Sequence, residues 1–86
     1  MPTVVKKDGF RIVIYPHDHL PPHVHVLKQS AEVRIELNES GDSNLLSISG
    51  DISGKDIQRS LNLVNEYQSI LLNKWKEIYG QLRRNY

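Results

Sequence analysis

The chain has 86 residues, no cysteine, and 11 Lys and Arg against 10 Asp and Glu, for a net charge of +1. That length suits one domain with a modest stability margin. The lack of cysteine excludes disulfides and thiolate chemistry, and the charge is too small for a nucleic-acid footprint. No apolar run approaches the roughly 18 residues needed to cross a bilayer. The N-terminal Met1-Pro2-Thr3-Val4-Val5-Lys6-Lys7 lacks the apolar core of a signal peptide, so a soluble cytoplasmic protein of a single domain over residues 1–86 is expected.

Asp8-Gly9 reads as a turn, and Phe10, Ile12 and Ile14 alternate along Phe10-Arg11-Ile12-Val13-Ile14-Tyr15, the period of a half-buried strand. Pro16 ends that strand by removing a backbone donor, and Pro21-Pro22 imposes a stiff, extended connection to the next segment. Alternation resumes in His23-Val24-His25-Val26-Leu27 and again with Ala31, Val33, Ile35 and Leu37 inward. If Val24 and Val26 share a core with Val33 and Ile35, then His23 and His25 share the opposite face with Glu32, Arg34 and Glu36. An antiparallel hairpin that preserves this parity needs an even loop. A loop at Lys28-Gln29, for example, sets His25 opposite Glu32 and His23 opposite Arg34.

Asn38 to Asn44 is dense in turn formers, so an exposed loop is expected there, followed by a short strand over Leu45-Leu46-Ser47-Ile48-Ser49. Ser53 then precedes a helix start, with Asp56 three residues on, in the manner of a capping box. Ile57, Leu61, Val64, Leu71, Trp75, Ile78 and Leu82 form an apolar stripe interrupted only by Gln68, and Gly80 ends or bends the helix. A helix over 54–79 runs roughly 39 Å at about 1.5 Å per residue, against about 17–20 Å for an ordinary strand. Either its second half packs on another subunit or the helix breaks; an unbroken helix with a partner is the favoured reading. The fold expected is α+β: a small antiparallel sheet of three to four strands over about residues 4–49, one long C-terminal helix packed on one face, and a short basic tail.

Charge is uneven along the chain, with one basic and four acidic residues over 37–56 and five basic and two acidic over 57–86. A basic C-terminal end suits phosphate or an acidic partner, although cations at the negative pole of a helix are commonly only solvated.

All four histidines lie between His17 and His25, and imidazole is the side chain whose ordinary titration spans neutral pH. His23 and His25 stand two apart on a strand, with Cα atoms roughly 6.6 Å apart on one face. Two such imidazoles can converge on a divalent metal such as zinc at about 2.0–2.1 Å, with His19 or Asp18 as third ligand and an open position for water. Metal-free acid–base chemistry fits the same residues: one imidazole takes a proton, another gives one, and a cation, Arg34 or Arg11, faces the developing charge beside Tyr15. Cleavage of RNA through its own 2′-hydroxyl suits this equipment, and so does simple phosphate binding. Histidines also serve to satisfy backbone groups around proline turns, and that is the commoner role for any one of them. Trp75 and Tyr79, at helical spacing, read as core or interface aromatics.

Tyr15-Pro16-His17-Asp18-His19-Leu20-Pro21-Pro22-His23-Val24-His25-Val26, with Ala31, Ile48-Ser49-Gly50 and Leu71-Leu72-Asn73-Lys74-Trp75, resembles the small bacterial family called domain of unknown function 4160. The resemblance singles out Asp18, His19, Pro21, Pro22, His23, His25 and Trp75, and leaves His17 outside the pattern. Similar proteins carry a tryptophan and a histidine in the middle of the helix, where this chain has Glu66-Tyr67-Gln68-Ser69. The resemblance implies a toxin-like component of a two-gene toxin–antitoxin module, with a small antitoxin-like partner encoded nearby. The expected catalytic set is His19, His23, His25 and Asp18, with Arg34 as the cation. RNA is the expected substrate class, and a homodimer through the long helix is the other expected association. The alternative is a non-enzymatic regulatory module that binds a metal or an anion.

Overall fold

The computed structural model describes residues 3–15, 19–38 and 40–83, with side chains up to Tyr79. Five strands, β1 (Thr3–Lys7), β2 (Phe10–Val13), β3 (His23–Lys28), β4 (Ala31–Glu36) and β5 (Asn44–Ser49), precede two helices, α1 (Gly54–Glu66) and α2 (Gln68–Arg83). The strands form an antiparallel meander in chain order, so β1 and β5 are the edges. This corrects the expected three or four strands: Thr3–Lys7 is too short and too polar to show alternation, and becomes a strand by pairing with β2 through a two-residue turn. Asp8 and Gly9 both take positive φ in that turn, 54° and 83°, as a tight hairpin following strand twist requires.

Phe10, Ile12, Ile14, Val24, Val26, Val33, Ile35 and Leu37 project from one sheet face into a core completed by Leu63, Val64, Leu71, Leu72 and Trp75. The inward set therefore matches the alternation of the sequence. The β3–β4 turn is Gln29-Ser30, which pairs Lys28 with Ala31. Its loop is even, as parity demands, but the register lies two residues from the Lys28-Gln29 example: His25 faces Arg34 and His23 faces Glu36.

Gly50, just past β5, holds φ at 89°, and a Cβ there would stand 2.9 Å from Ala31 Cα and 3.0 Å from the Ser30 carbonyl oxygen. Gly50→Ala is therefore expected to cost about 1–3 kcal/mol in backbone strain alone. Urea denaturation checks this, and a change within error would mean the turn has room to relax.

The single long helix is also corrected. Ser53 caps α1 by accepting from the Asp56 amide at 3.1 Å, as the sequence suggests, but the helix breaks at Tyr67, whose φ and ψ are −105° and 18°. The second helix continues through Gly80 to Arg83, so Gly80 does not end it. With the break, Leu71, Leu72 and Trp75 are buried in the same core as Leu63 and Val64. The argument for a partner on the second half thereby loses its basis.

Gln68, the one polar interruption of the stripe, stands at the break as the first residue of α2. It is 8% exposed. Its amide nitrogen donates to Ser43 Oγ at 3.0 Å and to the Gly41 and Asp42 carbonyls at 3.3 and 3.4 Å. Its amide oxygen accepts from the Asn38 backbone at 3.4 Å. One buried amide thus ties the start of α2 to the β4–β5 loop. Gln68→Leu leaves those backbone groups without their partner and is expected to cost about 1–3 kcal/mol, read as a lower denaturation midpoint. Unchanged stability would show that the latch is dispensable. Among the described residues, no helix is long and apolar enough to cross a membrane.

Candidate functional site

On the sheet face opposite the helices, strand register aligns Val13, His25, Arg34 and Ser47 in one row across β2 to β5. His23, Glu36 and Asn44 form a neighbouring row. Parity thus brings His23 and His25 together with Glu32, Arg34 and Glu36, as the sequence predicts. Both histidines are nonetheless buried, His23 being 8% exposed and His25 6%. An uncovered sheet face would leave them in water. Tyr15 packs its ring edge-on to His25 at 4.6 Å between centroids, and the two imidazoles meet edge-on at 5.2 Å.

Hydrogen bonding assigns the Nδ1 atoms. His23 Nδ1 lies 2.8 Å from the Pro21 carbonyl oxygen, which can only accept, so this nitrogen carries the proton. His25 Nδ1 lies 2.5 Å from Glu32 Oε2 and donates to that carboxylate. Both rings are thereby oriented through Nδ1, with Glu32 holding His25 in one orientation. Arg34 is anchored by its Nε donating to Ser47 Oγ at 2.8 Å. This leaves the guanidinium end to meet an anion in a fixed place.

His19, Leu20, Pro21, His23, Arg34 and Leu46 line an open cleft of about 260 Å³. His19 and His23 thus come to one cavity with Arg34, while His25, outside the lining, packs edge-on against His23 and bonds Glu32. Asp18 and His17 lie outside the described residues. Glu32 is the functional candidate the sequence reading placed on this face without choosing. Alternation put it on this face and the example loop at Lys28-Gln29 set it opposite His25, whereas the observed contact with His25 is diagonal across the hairpin. Leu46 enters through a bulge, where Arg34 pairs with Ser47 but Ile35 pairs with Leu45, and sequence carries no mark of that. Arg11 is on the same face opposite Leu27 but is not among the residues that line the cleft.

The metal expectation fits this arrangement less well. Among the described residues no three His, Cys, Asp or Glu groups are disposed to hold a metal ion, and both Nδ1 atoms are engaged. A second concavity, of about 170 Å³ between the β1–β2 turn and α1, is bridged by ion pairs, Lys7 with Glu66 at 3.3 Å and Arg59 with Asp8 at 3.6 Å. Hydrogen bonding to Glu66, together with its charge, raises the Lys7 pKa. Those pairings make that hollow a poor ligand site.

The fold and cleft define a small α+β domain with a histidine-lined face on a five-stranded meander. Residues 9–76 match the family model Domain of unknown function (DUF4160), and the chain belongs to that family. The matched span holds the cleft, the His25–Glu32 pair and Trp75, and omits β1. No curated protein and no solved structure matches the chain.

Proposed function

We propose that this protein is the toxin-like component of a two-protein bacterial module and acts on RNA at the His19–His23–Arg34 cleft without a metal. One observation carries the reading: an imidazole with its Nδ1 proton committed to a carbonyl shares a cleft with an anchored arginine. Arg34 binds the phosphodiester and faces the charge that develops on it. His23 takes the proton of the 2′-hydroxyl at Nε2, and that oxygen attacks the adjacent phosphorus. His19, exposed at the mouth of the cleft, protonates the departing 5′-oxygen. The products are a 2′,3′-cyclic phosphate and a free 5′-hydroxyl, so no water or cofactor enters the first step. The His25–Glu32 pair positions the His23 ring by packing against it.

The test combines growth with chemistry. Expression of the wild type is expected to slow bacterial growth, and Arg34→Ala and His19→Ala, both at exposed positions, to relieve it while the circular dichroism spectrum is unchanged. Purified protein is expected to cleave RNA in the presence of a chelator and to spare a strand whose 2′-hydroxyls are replaced by hydrogen. Cleavage of that strand would refute the 2′-hydroxyl mechanism, and toxicity unaffected by both substitutions would refute the site.

The burial of His23 and His25 favours a second reading, in which the cleft binds an anion and breaks no bond. It predicts saturable phosphate binding, lost in Arg34→Ala, with no RNA cleavage. A metal-binding module is distinguished by metal content in untagged protein.

A further inference from the structure

Sheet edges expose unpaired backbone donors and acceptors, and proteins that remain single guard them with charges, prolines or cover. The two edges of this sheet differ. The β1 edge carries Lys6 and Lys7, both exposed. The β5 edge, Asn44-Leu45-Leu46-Ser47-Ile48-Ser49, has no charge and no proline, and Leu45, Leu46 and Ile48 are 43%, 43% and 44% exposed. These are three of the five exposed large apolar residues among those described; a fourth, Leu20, lines the cleft with Leu46.

The bulge in β5 adds to this. Leu45 and Ile48 pair with the inward residues Ile35 and Val33 and so lie on the helix-bearing face, whereas the bulged Leu46 lines the cleft on the other. A strand laid along β5 thus meets apolar side chains on both of its faces, and the core stripe of Val33 and Ile35 continues onto it.

We propose that β5 is the interface of a two-fold homodimer, in which β5 of each copy pairs antiparallel with the other to make one continuous sheet. A two-fold axis sets each strand against its own copy, residue i meeting j and j meeting i. At β1 both meeting strands would carry Lys6 and Lys7, while at β5 both carry only leucine, isoleucine, serine and asparagine. An unrelated peptide is selected on a sheet edge by side-chain pockets along with its backbone. The β5 edge offers no charge for such selection, and its natural complement is a neutral strand of the same alternation, its own. The β5 strand contributes Leu46 to the cleft and Ser47 to the Arg34 anchor, but the interface is read by mass and its failure is separate from that of the RNA reading.

Light scattering across a concentration series tests it. The wild type is expected at twice the 9.9 kDa chain mass, and Ile48→Lys, which places a charge on both strands of the interface, at the single mass with an unchanged circular dichroism spectrum. Ile70→Lys, at a 57% exposed position on α2, is the control and should stay dimeric. Hydrogen exchange on the wild type alone gives a second reading: amides of β5 should become less protected as the protein is diluted. A wild type that is monomeric throughout overturns the proposal. So does a dimer that survives Ile48→Lys, or β5 amides whose protection does not change as the protein is diluted.

Discussion

Trp75→Ala is expected to remove about 3–5 kcal/mol of folding free energy, the usual cost of deleting a large buried aromatic. For 86 residues the whole stability is roughly 4–13 kcal/mol at typical per-residue values, so the variant sits near the edge of folding. Trp75 is 3% exposed, shares the core cluster with Leu71 and Leu72, and stacks on Tyr79 at 4.8 Å between centroids. All of those contacts lie within one chain. The loss should therefore be the same at every protein concentration, which separates it from an interface effect. Denaturation followed by far-ultraviolet circular dichroism is the suitable measurement, because Trp75 is the only tryptophan and its fluorescence vanishes with it. A loss below about 1 kcal/mol, within the range of surface substitutions and their neighbours, would show that α2 is not seated on this sheet.

On the proposed RNA-cleavage mechanism, His23→Ala carries the largest expected effect on activity. Removing a positioned general base ordinarily costs about 10²–10⁴ in rate, and here it also takes away the hydrogen bond to the Pro21 carbonyl. Single-turnover RNA cleavage by the folded variant should fall by that factor, whereas Glu32→Gln, which keeps a side-chain acceptor near His25 Nδ1, should fall less. The contrast matters because His23 lines the cleft and Glu32 does not. A folded His23→Ala protein that cleaves at the wild-type rate would move the chemistry elsewhere. Equal, complete losses in both variants would instead indicate collapse of the buried histidine layer.

Much of this arrangement is visible in residue order. The alternation of Phe10, Ile12, Ile14, Val24, Val26, Val33, Ile35 and Leu37 matches the buried side of the sheet. It also assigns His23, His25, Glu32, Arg34 and Glu36 to the other side, since a period of two admits only two faces. The Ser53 cap and the Asp8-Gly9 turn are equally legible, because both are set by neighbours within a few residues.

What residue order left undecided is what depends on distant partners. Burial of His23 and His25 needs cover that no local pattern announces. The choice of Gln29-Ser30 over Lys28-Gln29 as the turn moves every cross-strand pair by two residues without changing parity, so Arg34 rather than Glu32 faces His25. The helix break at Tyr67 coincides with Gln68 binding a loop more than twenty residues away. In a linear reading that same glutamine is only a flaw in an apolar stripe. The sequence by itself determined which side chains share a face, because backbone geometry converts spacing into direction. Tertiary structure decided which of them meet, because contact depends on register, bulges and long-range hydrogen bonds that spacing does not encode.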